Sequence, residues 1–274
     1  IETAKQRDGD LIVFSELSVC GYAPSNFLEF EDFINKSYAA IDVIKQHADT
    51  IAVLIGAPDR NPVREGKDLF NAAYLLYEKE VKSIAHKTCL PNYDVFDEYR
   101  YFEPAYDWNI MEFKGKRLAV TICEDIWNLG DNPLYRYCPM DELMKLKPDM
   151  MINLSASPFD YTHDEDRKAT IKSNVVKYKL PLFYCNAIGS QTEIVFDGAS
   201  LVFDAAANLC GQLPMFEEAI QSFTLNDDGT IDAAVIEPAS RMPDKELAPA
   251  SLEENLNIKM VHDAIVLGIR DYFT

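Results

Sequence analysis

Apolar residues gather in short runs bounded by turn residues: Leu11–Phe14, Ile51–Ala57, Phe70–Tyr77, Val81–Ala85, Trp108–Phe113, Leu118–Ile122, Met150–Leu154, Leu182–Asn186, Glu193–Phe196, Ser200–Phe203 and Ala219–Thr224. Their lengths and their content of β-branched and aromatic residues predict strands. Apolar positions three and four apart recur only in Phe30–His47, Met140–Leu146, Glu165–Lys179 and Leu252–Phe273, which predict helices. Strand runs outnumber helical ones by more than two to one, and several follow one another across turns such as Lys114-Gly115-Lys116. A doubly wound sheet alternates strand and helix, so the pattern fits a sandwich of sheets flanked by helices.

The ends read differently. Ile1–Arg7 has the pattern of a helix tail, and Ile236–Ala250, rich in Pro, Ala and Glu, reads as a tether ahead of the last amphipathic stretch. Both suggest a piece of a longer polypeptide, with one large domain over residues 1–235 and a tether plus helix over 236–274. The chain contains no internal repeat and no Gly-rich phosphate loop.

Charge narrows the partners. With a net charge of -19 and no local cluster of Lys and Arg, the chain has no basic field for nucleic acid. No apolar stretch approaches the roughly 20 residues of a spanning helix, and the polar start does not read as a signal peptide. The expected compartment is the cytoplasm. Six cysteines without a CxxC pair fit free thiols in a reducing environment, and four histidines in no metal-ligand spacing predict metal-free chemistry.

Three strand ends carry residues able to react. The apolar run Leu11–Phe14 leads to Glu16, the run ending at Ala85 leads to Lys87, and Leu118–Ile122 leads to Cys123. Each has an ordinary reading: a solvated strand-end carboxylate, a snorkelling lysine and an inert core thiol. The surroundings argue otherwise. An aromatic loop bearing Asp94, Asp97 and Glu98 follows Lys87 and is suited to desolvating and pairing it. A thiol exposed where a strand gives way to a turn receives backbone N–H groups, and the N–H of Glu124 is placed to meet a tetrahedral oxyanion. A thiol is mostly protonated at neutral pH, so a carboxylate is needed to take its proton, and a nearby ammonium favours the thiolate.

A carboxylate, a lysine and a thiol in this order resemble the Glu-Lys-Cys site of the nitrilase superfamily. Within it, the chain resembles the glutaminase domains of glutamine-dependent NAD synthetases, through Leu90-Pro-Asn-Tyr-Asp-Val-Phe-Asp-Glu-Tyr-Arg-Tyr-Phe102, Ile122-Cys-Glu-Asp-Ile-Trp127, Asn153-Leu-Ser-Ala-Ser-Pro158 and Val195-Phe-Asp-Gly198. The resemblance implies a four-layer αββα sandwich in which Glu16 is the general base, Lys87 stabilises the oxyanion, Cys123 is the nucleophile and Glu98 holds Lys87. It also implies that Tyr93, Glu124 and Ser157 hold glutamine. Phe14-Ser15-Glu16 departs from the family's proline before the glutamate, and His163 stands where relatives carry Lys or Arg, so an imidazolium would meet the substrate carboxylate.

Relatives continue into a synthetase half resembling an ATP pyrophosphatase, with an SGGxDS phosphate loop that this chain lacks. Ala264–Phe273 resembles the helix leading into that half. The expectation is therefore a glutaminase needing no cofactor itself, with ATP and magnesium confined to the synthetase half, to which it delivers ammonia for amidating deamido-NAD. The resemblance further implies a homo-oligomer. Two other readings remain open on sequence: a stand-alone amidase or carbamoylase acting on another small amide, and a catalytically silent scaffold. A papain-like peptidase is excluded, because no histidine lies in a partner motif for Cys123.

Overall fold

The structure is a computed structural model, and it describes residues 1–130, 133–161, 163–233, 237–238 and 256–273. After a short helix α1 (Glu2–Gln6) comes β1 (Leu11–Val13), then helix α2 (Glu31–His47) and strands β2 (Ala52–Arg60), β3 (Leu69–Tyr77) and β4 (Glu80–His86). These strands form one sheet in the order β1-β2-β3-β4, with β1 parallel to β2 and the others antiparallel. A four-residue helix α3 (Glu98–Tyr101) leads to β5 (Met111–Phe113), β6 (Lys116–Ile122), α4 (Pro139–Met144), β7 (Met150–Ser155), α5 (His163–Tyr178) and β8 (Leu182–Asn186). The hairpin β9 (Ile188–Gln191) and β10 (Ile194–Asp197) follows, then β11 (Leu201–Phe203) and β12 (Leu209–Gln212). The second sheet runs β12-β11-β8-β7-β6-β5, parallel from β6 to β8 and antiparallel at both edges.

The period-2 pattern explains the layers. Ala52, Leu54, Ala73 and Leu75 of the first sheet meet Leu118, Val120, Ile122, Ile152 and Leu154 of the second in one buried core. The alternate residues point outward: Val53, Ile55 and Tyr74 pack under Ile41 of α2, while Ala119, Met151 and Leu182 pack under Leu143 of α4 and Ile171 and Val175 of α5. Helix, sheet, sheet and helix are thus stacked in the expected αββα order. A buried Leu or Ile truncated to Ala in either outer cluster costs about 2–5 kcal/mol.

Some boundaries differ from the sequence pattern. Trp108 lies outside β5, whose backbone pairing with β6 begins at Met111, and its indole N–H donates to Thr88 Oγ1 at 3.0 Å. The run Ala219–Thr224 divides into β13 (Ala219–Ile220) and β14 (Phe223–Leu225), which pair separately with β16 (Glu237–Pro238) and β15 (Ile231–Ala233). Most of the expected tether, Ile236–Ala250, falls outside the described residues. The last helix, α6 (Leu256–Tyr272), lies within the predicted Leu252–Phe273, whose first four residues are outside the described ones, and buries Ala264 and Leu267 where it packs against β9 and β10. Among the described residues no helix is long and apolar enough to cross a membrane.

Candidate active site

The three strand ends converge. Glu16 lies three residues beyond β1, not at its end, in a turn that the Phe14 N–H to Leu54 carbonyl bond (2.8 Å) keeps against β2. Beneath that turn is Gly56, where a Cβ would stand 2.3 Å from Leu17 N and 2.7 Å from the Ser15 carbonyl. Lys87 directly follows β4, and its N–H donates to the Asn71 carbonyl at 2.8 Å, extending the β3–β4 pairing by one residue. Cys123 directly follows β6 and opens a 3-10 turn, Cys123–Ile126, with φ of 42°. That left-handed backbone is a strained state for a cysteine, of the kind folds hold at functional sites.

Asp125 holds the thiol turn from below. Its carboxylate accepts the Ile122 N–H at 3.0 Å, just before the thiol, and the Cys89 and Thr88 N–H groups at 2.8 and 3.1 Å, just after the lysine. One buried side chain therefore ties the Lys87 strand end to the Cys123 strand end. Burial pushes this carboxyl up to about 6, although the three N–H donors pull it down.

Above the turn, Lys87 Nζ donates to Glu16 Oε1 and Glu98 Oε1, both at 2.7 Å, with the lysine 0% and Glu16 1% exposed. Asn71 Nδ2 bridges the two acids, 2.8 Å from Glu16 Oε1 and 3.2 Å from Glu98 Oε2. The Tyr22 hydroxyl donates to Glu98 at 2.7 Å, and the Ala156 N–H donates to Glu16 Oε2 at 3.0 Å. Burial works against the Lys87 ammonium, but Glu16 and Glu98 outweigh it and hold its pKa well above the lysine range. Burial also raises Glu98.

The thiol departs from expectation. Cys123 is buried, 5% exposed, and not open at a turn. Burial pushes its pKa well above the cysteine range, Glu16 adds to the rise, and Lys87 only partly offsets it. Burial first, and the Glu16 carboxylate after it, thus favour the protonated thiol over an ammonium-stabilised thiolate. Reaction then requires proton loss in step with attack, and Glu16 is the acceptor held in place for it.

At the outer edge of the thiol turn, Glu124 accepts the Tyr93 hydroxyl on both oxygens at 3.0 Å and the Tyr135 hydroxyl on Oε1 at 2.9 Å. Burial raises its pKa. Ser157 is one residue past Ala156, with its N–H and carbonyl held by Asn186 at 2.8 and 3.3 Å. His163 begins α5, but its side chain lies outside the described residues. A cavity of about 380 Å³ reaches Glu16 and Tyr22 from the side of Ser190, Gln191 and Asp271. Among the described residues no group of three or more His, Cys, Asp or Glu side chains is placed to hold a metal.

The structure brings Glu16, Lys87, Glu98 and Cys123 into one buried centre, with Glu124 and Tyr93 beside it. Sequence reasoning missed Asn71, Tyr22, Tyr135 and the bridging role of Asp125. Only Asn71 left a signal, as an amide inside the apolar run Leu69–Tyr77.

A four-layer sandwich with a buried carboxylate, ammonium and thiol at its strand ends defines a class of thiol hydrolases of carbon–nitrogen bonds. The chain belongs to the carbon-nitrogen hydrolase family, whose sequence profile matches residues 1–233. It is 30% identical to the glutamine-dependent NAD(+) synthetase of Synechocystis over 98% of this chain and 47% of the relative. The corresponding enzyme of Thermotoga maritima is also 30% identical, over 99% of this chain and 49% of its own length. The chain therefore spans about half the length of the curated relatives it matches. Among solved structures, glutamine-dependent NAD+ synthetase from Acinetobacter baumannii superimposes with a TM-score of 0.79 at 27% identity, covering 99% of this chain and 47% of that one. An amidase from Nesterenkonia shares the fold, with a TM-score of 0.64 at 20% identity over 77% of this chain and 76% of that one.

Proposed function

We propose that this domain hydrolyses the carboxamide of glutamine and supplies the ammonia to a synthetase that amidates deamido-NAD. The carrying observation is the convergence of two carboxylates and one ammonium on the buried thiol of Cys123, which supplies a base for the thiol proton and a cation for the oxyanion at one point. The identity to two NAD synthetases across nearly the whole chain supports glutamine as the amide.

In this mechanism Cys123 Sγ attacks the carboxamide carbon as Glu16 takes the thiol proton. The C=O electron pair moves onto oxygen, where Lys87 Nζ donates to the oxyanion. Collapse breaks the C–N bond, Glu16 returns its proton to the departing nitrogen, and ammonia leaves a γ-glutamyl thioester. Water then adds to the thioester carbon with Glu16 again as base, and the C–S bond breaks to regenerate the thiol and release glutamate. Glu98 keeps Lys87 in place. Tyr93, Glu124 and Ser157 contact the amino-acid end of the substrate, with His163 as imidazolium on its carboxylate. The reading carries with it a cytoplasmic homo-oligomer in which ATP and magnesium serve the synthetase alone.

The test is ammonia release from glutamine, compared with a panel of small amides, by the chain and its Cys123→Ala variant. The expected result is release from glutamine that the variant lacks, and labelling of Cys123 alone by a diazoketone analogue of glutamine. Labelling mainly at Cys20 or Cys185, or preference for an amide without an amino-acid end, would overturn the reading.

A further inference from the structure

Glu124 differs from the other acids of the site in what neutralises it. Glu16 and Glu98 share an ammonium at 2.7 Å, but among the described residues the side-chain contacts of Glu124 come from the phenols of Tyr93 and Tyr135, and Lys87 acts on it from a distance. Neutral donors satisfy a buried carboxylate without cancelling its charge. Tyr93 is shared between the two oxygens and Tyr135 takes Oε1, so Oε2 keeps an acceptor position for an incoming donor. The Tyr135 contact is a directed one. Its neighbours Pro133, Leu134, Arg136 and Tyr137 are exposed, whereas Tyr135 alone in this stretch turns inward, from the segment between the thiol turn and α4.

From this geometry we infer that Tyr135 is a specificity-determining positioning residue, which fixes the Glu124 carboxylate to receive a cationic amino group on the substrate. The inference rests on the glutamine reading and adds a residue that acts through Glu124. Tyr93 lies on a loop and is 43% exposed, so by itself it leaves the carboxylate free to rotate about its last bond. Tyr135 comes from a different segment, and two donors from separate segments fix both the position and the plane of the acid. The amide group reacts at Cys123, the preceding residue, so this acid selects which amide is presented and takes no part in bond breaking.

The experiment compares glutamine with 5-amino-5-oxopentanoate, which is glutamine without its α-ammonium, using the whole chain and its Tyr135→Phe variant. Phenylalanine keeps the ring and removes only the hydroxyl. The Michaelis constant for glutamine should rise about tenfold, the lower end for losing a hydrogen bond to a charged group, while kcat for glutamine and both constants for the desamino compound stay within about twofold. On a Glu124→Gln background the same substitution should add no further loss, since the hydroxyl then has no charged acid to fix. Equal losses on both substrates, no loss on glutamine, or a full loss on the Glu124→Gln background would each refute the role of Tyr135. A wild-type chain that accepts the desamino compound as well as glutamine would refute the ammonium site while leaving the thiol chemistry intact. Failure to hydrolyse either amide would overturn the glutamine reading itself.

Discussion

Two buried charged centres lie within the same sandwich and are built on opposite rules. Arg167 of α5 meets Asp197 of β10 through two parallel contacts of 2.9 and 2.7 Å, with Asn186 adding a donor at 3.2 Å. Around Lys87 the count is unequal, since two carboxylates at 2.7 Å share one ammonium and a thiol lies beside them. The first arrangement sets a guanidinium squarely against a carboxylate, both of whose oxygens accept from it. The second sets two carboxylates against one ammonium beside a thiol that burial, and after it Glu16, raises, so that one carboxylate stands ready to accept its proton. Matched burial marks structure, and unmatched burial beside a nucleophile marks chemistry.

The same isosteric change should separate the two centres. Asp197→Asn leaves Arg167 without its carboxylate and should cost about 3–5 kcal/mol of stability in urea unfolding. Glu16→Gln leaves Lys87 paired one to one with Glu98. Its lost acceptor for the Ala156 N–H is offset by relief of the excess charge, so stability should change by less than about 2 kcal/mol. Turnover should nevertheless fall at least a hundredfold, about 3 kcal/mol of transition-state stabilisation. Lys87→Met should lose as much turnover and, with two acids left unpaired, stability as well. If Glu16→Gln unfolds the protein as severely as Asp197→Asn, or keeps near-wild-type turnover, the contrast between the centres collapses.

The layers were legible because strands such as Leu118–Ile122 and Met150–Leu154 are apolar on both faces, and both faces are covered, one by the facing sheet and one by helices. The site was legible as three strand ends because Glu16, Lys87 and Cys123 each interrupt or follow such a run. The hairpin strand β9 was not, since Gly189, Ser190 and Gln191 carry no apolar alternation, and the 3-10 turn at Cys123 is too short for any period. Asn71 and Tyr135 belong to the site only through contacts across 55 and 11 residues, and no local pattern encodes a partner at that separation. The depth of the thiol was misjudged for a related reason. Sequence placed it exposed where β6 gives way to a turn, but its burial depends on the segments that the fold packs over that turn.

Asp125 offers a pH test of the same contrast, because its carboxylate accepts three backbone N–H groups and Lys87 acts on it only from a distance. Its folded-state value of about 6 lies above the ordinary 3.8, so between about pH 4 and 6 the folded protein holds a proton that the unfolded chain has released. For this group, stability is therefore gained as pH falls through 6, and the carboxylate costs no more than about 3 kcal/mol above that value. Activity should move the other way, since protonation removes acceptor capacity from the tie between Lys87 and Cys123. Wild-type stability relative to Asp125→Asn should thus decline from pH 4 to 6 while wild-type turnover rises, and the variant should be slow at every pH. Parallel profiles in the two proteins would remove Asp125 as the tie.

The smallest expected effect tests whether the reactive centre depends on backbone position as well as charge. Gly56 lies in β2 outside the left-handed region, so alanine is permitted there by the backbone, and in open space it would slightly stabilise the chain. Its methyl would instead meet Leu17 N at 2.3 Å and Glu16 C at 2.8 Å, both of them backbone atoms that cannot swing aside. The turn carrying Glu16 must then lift off the sheet. Lys87, Asn71 and Ala156 hold the carboxylate from the other side, so the displacement is shared and turnover should fall about tenfold, near 1.4 kcal/mol, with the Michaelis constant little changed. Gly115→Ala is the matching control: at φ of 76° with nothing within 4 Å, it should cost about 1 kcal/mol of stability through backbone strain and leave turnover unaltered. Equal losses of turnover in the two variants would mean that general loosening, and not the seat of Glu16 on Gly56, governs the rate.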